Sequence, residues 1–269
     1  MLSSTSFSSV QTYPTANDYW GIASPSSIYI YDITGQLLIT IPCEFMRRGS
    51  VESWRYVSEM ILACVEEEGG LRNEAGVVVD EGAAITAGRY TYVRKDSAES
   101  PCKFRRGPEG KTKGKAPASG ASSSTYSNSK RSSNNQNKLR DLLIYRDGDC
   151  LFTGESFQAC TAAHIVPLSR ADLYPLILTQ PVSYLFHAHM GLLLRDDIHH
   201  AYDRFEWSLY CQDENYVIHY FVPSSATQQQ AHGTVITPDR FRGPKSLRPH
   251  AKLLDWHYAQ LVDLFVWTL

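Results

Sequence analysis

Gly191-Leu192-Leu193-Leu194-Arg195-Asp196-Asp197-Ile198-His199-His200-Ala201-Tyr202-Asp203 is the stretch on which the reading of this chain turns. Its first part is a short apolar run of strand length with little room for polar function. Asp196 or Asp197 then offers an N-cap, and a helix begins. On that helix His199 and Asp203 stand at i and i+4, so both project from one face with Cβ atoms about 5–6 Å apart. An imidazole and a carboxylate at that separation can share one divalent ion. Upstream, Ala163-His164-Ile165-Val166-Pro167 places a histidine at the edge of a second strand that runs into a proline turn. Taken singly, each piece has a plainer reading. A His-x-x-x-Asp pair is more often a salt bridge or a solvated pair, and a lone histidine more often a hydrogen-bonded core residue. His200 projects about 100° away from His199 and reads as surface.

The order and spacing of the pieces change that weighting. An opening Arg146-Asp147-x-x-Cys150-x-x-Thr153-Gly154 leads through Ala163-His164-Ile165-x-Pro167 to Gly191–Arg195 and then to Asp197-Ile198-His199-x-x-Tyr202-Asp203. With the hairpin that follows, this pattern resembles the HNH endonuclease superfamily (ββα-metal fold), and most closely the HNH domains of fungal proteins. The resemblance spans roughly residues 140–223. It implies His164 as the general base and His199 and Asp203 as ligands of one divalent metal ion, with His199 counted among the catalytic residues too. Mg²⁺, Mn²⁺, Ni²⁺ and Zn²⁺ all remain open as that ion. Two positions depart from the pattern. Ala163 stands where many such nucleases have a metal-binding Asp or His, and Met190 stands where an Asn orients the base. His187 and His189 are the nearby residues able to replace that Asn.

Outward from this region the chain divides by composition. Ser27–Tyr31 and Leu37–Ile41 read as a hairpin about Asp32-Ile33-Thr34-Gly35. A helix after Ser50 sets Trp54, Val57, Ile61 and Val65 on one face, with Gly69 or Gly70 as its C-cap. Short strands over Gly76–Val79 and Arg89–Val93 complete a ββαββ unit, of which a β-grasp is one arrangement. Lys95 to Asn137 has no hydrophobic periodicity and is rich in Ser, Asn, Gly and Lys, the composition of a flexible linker. A short helix over Lys138–Tyr145, a strand at Cys150–Thr153, a hairpin of Glu206–Cys211 with Tyr216–Phe221, and a closing amphipathic helix carrying Leu253, His257, Leu261, Leu264 and Phe265 are expected beyond it. The fold class is therefore α+β: a disordered leader (1–19), a small α+β module (20–94), a basic linker (95–136) and an HNH-like domain (137–269). The linker is the place where protease should separate the two folded units.

Charge is segregated along the chain although the net is −2. Met1–Val93 carries 5 basic and 11 acidic residues, Arg94–Arg140 carries 12 and 3, and Asp141–Leu269 carries 9 and 14. A nucleic-acid partner would thus be held by the middle segment, whose composition equally suits a solvated tether. The clusters Lys103-Phe104-Arg105-Arg106 and Lys111-Thr112-Lys113-Gly114-Lys115 fit a nuclear-import signal or an ordinary linker. The six cysteines form no CxxC pair and read as free thiols. No apolar run reaches membrane-spanning length, and the start has neither the basic end nor the apolar block of a secretory signal. An intracellular protein, nuclear or cytoplasmic, with no membrane partner is the expectation.

Two functions from different classes follow. The first is a metal-dependent endonuclease acting on the phosphodiester bonds of DNA in preference to RNA. His164 would activate water in it, a role suited to an imidazole that titrates near neutrality. The second is a catalytically degenerate HNH fold that binds nucleic acid or protein, with the N-terminal module as the surface for a protein partner. Ala163 and Met190 favour the second.

Overall fold

The structure is a computed structural model and describes residues 16–20, 26–96, 98–105 and 133–265. Most of the expected linker, and residues 1–15 of the expected leader, lie outside the described residues.

The N-terminal part begins with a short helix, α1 (Ala16–Trp20), so the last residues assigned to the leader are helical. Trp20 is buried and its indole N–H donates to the Tyr220 carbonyl at 3.0 Å, far along the chain. The hairpin follows as β1 (Ser27–Asp32) and β2 (Leu37–Pro42), paired antiparallel. Gly35 makes the turn possible with φ +86°. Asp32 fastens it: Oδ1 accepts from the backbone N–H groups of Thr34 and Gln36 at 2.9 Å each. The helix α2 (Cys43–Arg48), too short to show a period in sequence, packs Phe45 and Met46 inward. The larger helix α3 (Trp54–Cys64) is capped by Ser53, whose hydroxyl accepts from the Tyr56 N–H at 3.2 Å. It buries Trp54, Tyr56, Val57, Met60, Ile61 and Cys64.

Gly69 and Gly70 do not cap α3, which ends at Cys64; they open β3 (Gly69–Asn73). A Cβ at Gly69 would lie 2.4 Å from the Val93 carbonyl oxygen, so the close approach of β3 to its neighbour requires glycine there. The expected strand over Gly76–Val79 is reduced to a single bridge between Arg72 and Val78. After β4 (Gly88–Arg94) the sheet order is β2-β1-β4-β3, with β1 and β4 parallel at its centre and α3 between them in sequence. Residues 98–105, read as linker, are held to this unit. The Cys102 N–H donates to Asp32 Oδ2 at 3.0 Å, and the Arg105 guanidinium donates to the Val65 carbonyl at 2.8 Å.

At the other end of that segment, α4 (Ser133–Asp147) is longer than expected at both ends. Cys150–Thr153 is a tight turn and not a strand. The Gly154 N–H returns to the Cys150 carbonyl at 2.9 Å, and the ladder contact nearby is the single Asp149–Ser156 bridge. Next come β5 (Cys160–His164), α5 (Leu173–Leu178), β6 (Gly191–Arg195) and α6 (Asp196–Asp203). The hairpin β7 (Trp207–Gln212) and β8 (Asn215–Tyr220), with α7 (Ala226–Ala231) and β9 (Val235–Ile236), makes a three-stranded sheet. The closing helix α8 (Ala251–Phe265) buries Leu253, Leu254, His257, Tyr258, Leu261 and Val262.

One continuous buried core joins the N-terminal sheet to the C-terminal elements. Polar contacts cross the same boundary. The His219 Nε2–H donates to the Gly49 carbonyl at 2.9 Å, and the His232 Nε2–H to the Phe45 carbonyl at 2.8 Å. The Tyr56 and Tyr258 hydroxyls share a hydrogen bond at 2.7 Å. Trp207, Tyr216 and Tyr220 pack in the core, with Tyr210 partly buried against it. All six cysteines are free thiols. No helix among the described residues is long and apolar enough to cross a membrane.

Candidate functional site

The site grows out of β5, β6 and α6. β5 and β6 pair antiparallel, with Thr161 opposite Leu194 and His164 opposite Gly191. Leu192, Leu193 and Leu194 are completely buried, so β6 is anchored by its side chains on both faces. α6 follows without a break, and its inner face, Ile198, Ala201 and Tyr202, is buried. Trp207 locks that face by donating its indole N–H to the Ile198 carbonyl at 3.0 Å. The outer face is left to Asp196, His199, His200 and Asp203.

On that face the structure brings His199 and Asp203 together, with Nε2 and Oδ2 3.5 Å apart. The Asp203 side chain is 55% exposed and that of His199 21%, so the pair opens to solvent from the carboxylate side. The other nitrogen of His199, Nδ1, lies 2.8 Å from the Thr161 hydroxyl on β5. Burial lowers the His199 imidazole; Asp203 opposes this and His200 adds to it. His200 pairs separately with Asp196 at 3.3 Å and is exposed, as its helix position implied.

His164 lies at the end of β5, close enough for His199 to weigh on its protonation. Its Nε2 is 3.1 Å from the Leu185 carbonyl. A carbonyl only accepts, so Nε2 carries the proton and Nδ1 is the basic nitrogen. Burial pushes His164 down to about 4, against the Leu185 carbonyl and together with His199. The ordinary near-neutral value expected from sequence does not survive this environment.

Ala163 is fully buried. Met190 is buried too, and its backbone carbonyl accepts from the Ile165 N–H at 2.9 Å. His187 and His189 stack on each other with centroids 5.4 Å apart, and His189 faces His250. The contact that orients His164 is thus the Leu185 main chain, a role that sequence could assign only to a side chain.

Residues given no role from sequence hold the loop that carries Leu185. Arg146, fully buried, donates from Nη1 to the Ala188 carbonyl at 2.7 Å and from Nη2 to the Gly191 carbonyl at 3.0 Å. Asp147 accepts from the same guanidinium at 2.5 and 2.7 Å and from the Leu193 N–H at 3.3 Å. The Arg146-Asp147 dipeptide is visible in sequence as a motif opening; that it clamps a loop forty residues on is not.

His199 and Asp203 supply one nitrogen and one carboxylate oxygen, a donor set that suits a divalent ion of borderline hardness. Among the described residues no group of three or more His, Cys, Asp or Glu side chains is placed to hold a metal. His199 and Asp203 would be the residues to hold such an ion.

Residues 150–210, which contain β5, β6, α6 and the start of β7, match the family described as HNH endonuclease. No curated protein and no solved structure matches the chain. The match falls on the stretch holding His164, His199 and Asp203, and it supports a nuclease-type function for this part of the protein.

Proposed function

We propose that the protein is a metal-dependent endonuclease that hydrolyses DNA phosphodiester bonds, with His164 as the base and His199 and Asp203 as protein ligands of one divalent ion. The observation that carries this reading is the convergence of His199 Nε2 and Asp203 Oδ2 at 3.5 Å on α6, beside His164, inside the family match. The antiparallel β5–β6 pair running straight into α6 supports a ββα-metal arrangement. When bound, the ion would polarise the scissile phosphate and stabilise the charge on the leaving 3′-oxygen. His164 Nδ1 takes the proton of the attacking water, and the Leu185 carbonyl keeps the ring in the tautomer that leaves Nδ1 free. The products are 5′-phosphate and 3′-hydroxyl ends.

DNA is the preferred polymer in this reading. The basic stretch Arg94–Arg140 contributes sequence-independent attraction to the phosphate backbone. In the N-terminal unit, the parallel central strands joined through α3 support the β-grasp reading, with a protein partner as its role. The α+β module of residues 20–94, with 98–105 packed on it, and the HNH-like domain of residues 137–269, entered through the first turn of α4, are the functional division in this reading.

A second reading is favoured by the His164 environment and the buried Ala163: an HNH fold that binds nucleic acid without cutting it. Incubating the full chain with supercoiled plasmid, with and without Mg²⁺, Mn²⁺, Ni²⁺ or Zn²⁺, separates the two. Nicking that needs one of these ions is the expected result. Retention of plasmid on a gel, uncut under every ion, would favour the binding module.

A further inference from the structure

A neutral imidazole has one N–H and one lone pair, so the partner of one nitrogen decides what the other can do. His199 presents Nε2 to Asp203 and Nδ1 to the Thr161 hydroxyl at 2.8 Å. That hydroxyl has a single proton and two described acceptors in reach, His199 Nδ1 and, at 3.5 Å, the Leu194 carbonyl. Two self-consistent arrangements follow. If the hydroxyl donates to Nδ1, then Nε2 carries the ring proton and turns N–H toward the Asp203 carboxylate. If instead it donates to the Leu194 carbonyl, it accepts the Nδ1–H, and Nε2 becomes a bare lone pair beside the carboxylate. Without a cation the second arrangement sets two acceptors against each other 3.5 Å apart. With one, the same two lone pairs are a ligand pair.

We infer that Thr161 is a positioning residue whose hydroxyl rotates to accept the Nδ1–H of His199, holding that histidine in the only neutral tautomer able to ligate a divalent ion through Nε2. This role rests on the ligand assignment of the proposed function and adds a residue outside it. The strand β5 is well placed for such a rotor, because Thr161 stands opposite Leu194 in the ladder and the pairing itself supplies the alternative acceptor. The hydroxyl touches no substrate and no reacting atom.

Zinc is the probe, because it is diamagnetic and needs no oxidant or substrate. Calorimetric Zn²⁺ titration of the full chain is compared for wild type, Thr161→Val, Thr161→Ala, Thr161→Ser and Asp203→Ala. Removing the outer partner of a ligating histidine weakens metal affinity roughly tenfold to a hundredfold. Thr161→Val should show that loss while keeping the β-branched shape of the strand residue, and Thr161→Ser should restore affinity. Thr161→Ala serves if the valine variant does not fold. In parallel, ¹⁵N histidine spectra should show His199 protonated at Nε2 in the metal-free wild type and at Nδ1 with Zn²⁺. Loss of affinity in Asp203→Ala but none in Thr161→Val or Thr161→Ala would overturn the role of Thr161 alone. Equal affinity in wild type and Asp203→Ala would overturn the ligand assignment and this inference with it.

Discussion

His164 donates from Nε2 to the Leu185 carbonyl, and the same burial that fixes the ring drives its proton affinity down. A base acts only when deprotonated. With the free-enzyme value near 4, His164 stays competent well below the range where an ordinary histidine fails. At saturating metal, kcat/KM should therefore be level from pH 7 to about pH 5 and fall as pH passes through about 4. An acid limb centred near the ordinary histidine value would contradict the burial argument. The same depression makes His164 a weaker proton acceptor at neutral pH, so turnover should be modest. The residue-level pattern is legible in sequence where it is local: His199 and Asp203 lie four apart on one helix, and that spacing alone puts them together. The partners of the two histidines are not legible, because Thr161 and the Leu185 carbonyl reach them only through strand pairing and loop packing.

At the level of elements, the buried pair Arg146–Asp147 joins the end of α4 to β6 and the turn that precedes it. Arg146 bonds the carbonyls of Ala188 and Gly191, and Asp147 bonds the N–H of Leu193 in β6. Burial raises the Asp147 carboxyl and outweighs the guanidinium beside it, a sign of how poorly this place tolerates an unpaired charge. Arg146→Leu leaves the Asp147 carboxyl buried without its cation and takes a donor from the carbonyls of Ala188, Gly191 and Leu247. It should cost about 3–5 kcal/mol in chemical denaturation. A loss below about 1 kcal/mol would show that the clamp is not needed. Gly191 matters in the same region, since a Cβ there would sit 2.9 Å from the Ala163 carbonyl oxygen. Elements with a strong local pattern are readable from the chain: β1, β2, α3, β6, β7, β8 and α8 fall where periodicity puts them. Cys150–Thr153 misleads because two apolar residues near a turn look like a strand, while the Gly154 N–H and the Asp149–Ser156 bridge close a loop.

Across the whole molecule, the halves that look separable in sequence share one core and are latched by histidines. His219 and His232, both buried, donate to Gly49 and Phe45 carbonyls of the N-terminal half, and His257 stacks on Tyr202 at 3.7 Å behind α6. Burial lowers all three: His219 well below its ordinary value, His232 to about 4 and His257 to about 3. Between the ordinary value and these, the unfolded chain takes up protons that the folded one refuses. Stability is then whole above about pH 6.5 and falls with pH, by about 1.4 kcal/mol per pH unit for each such histidine. Chain cut by protease between residues 105 and 133 should accordingly stay one particle in gel filtration at pH 7.5 and come apart near pH 5. Fragments that separate at pH 7.5 would mean the shared core does not bind the halves. This packing has no sequence signature, since composition shows where a chain can be cut and not what the pieces touch.

One divalent ion on His199 and Asp203, working with His164 as base, is the centre of the proposed chemistry. Calorimetric titration of Mn²⁺, run beside a plasmid-nicking assay on wild type, His164→Ala and Asp203→Ala, tests it most directly. His164→Ala is expected to bind Mn²⁺ almost as wild type does and yet not to nick. Asp203→Ala should bind weakly and regain part of its nicking at high Mn²⁺. Unchanged Mn²⁺ affinity in Asp203→Ala, or undiminished nicking by His164→Ala, would contradict it.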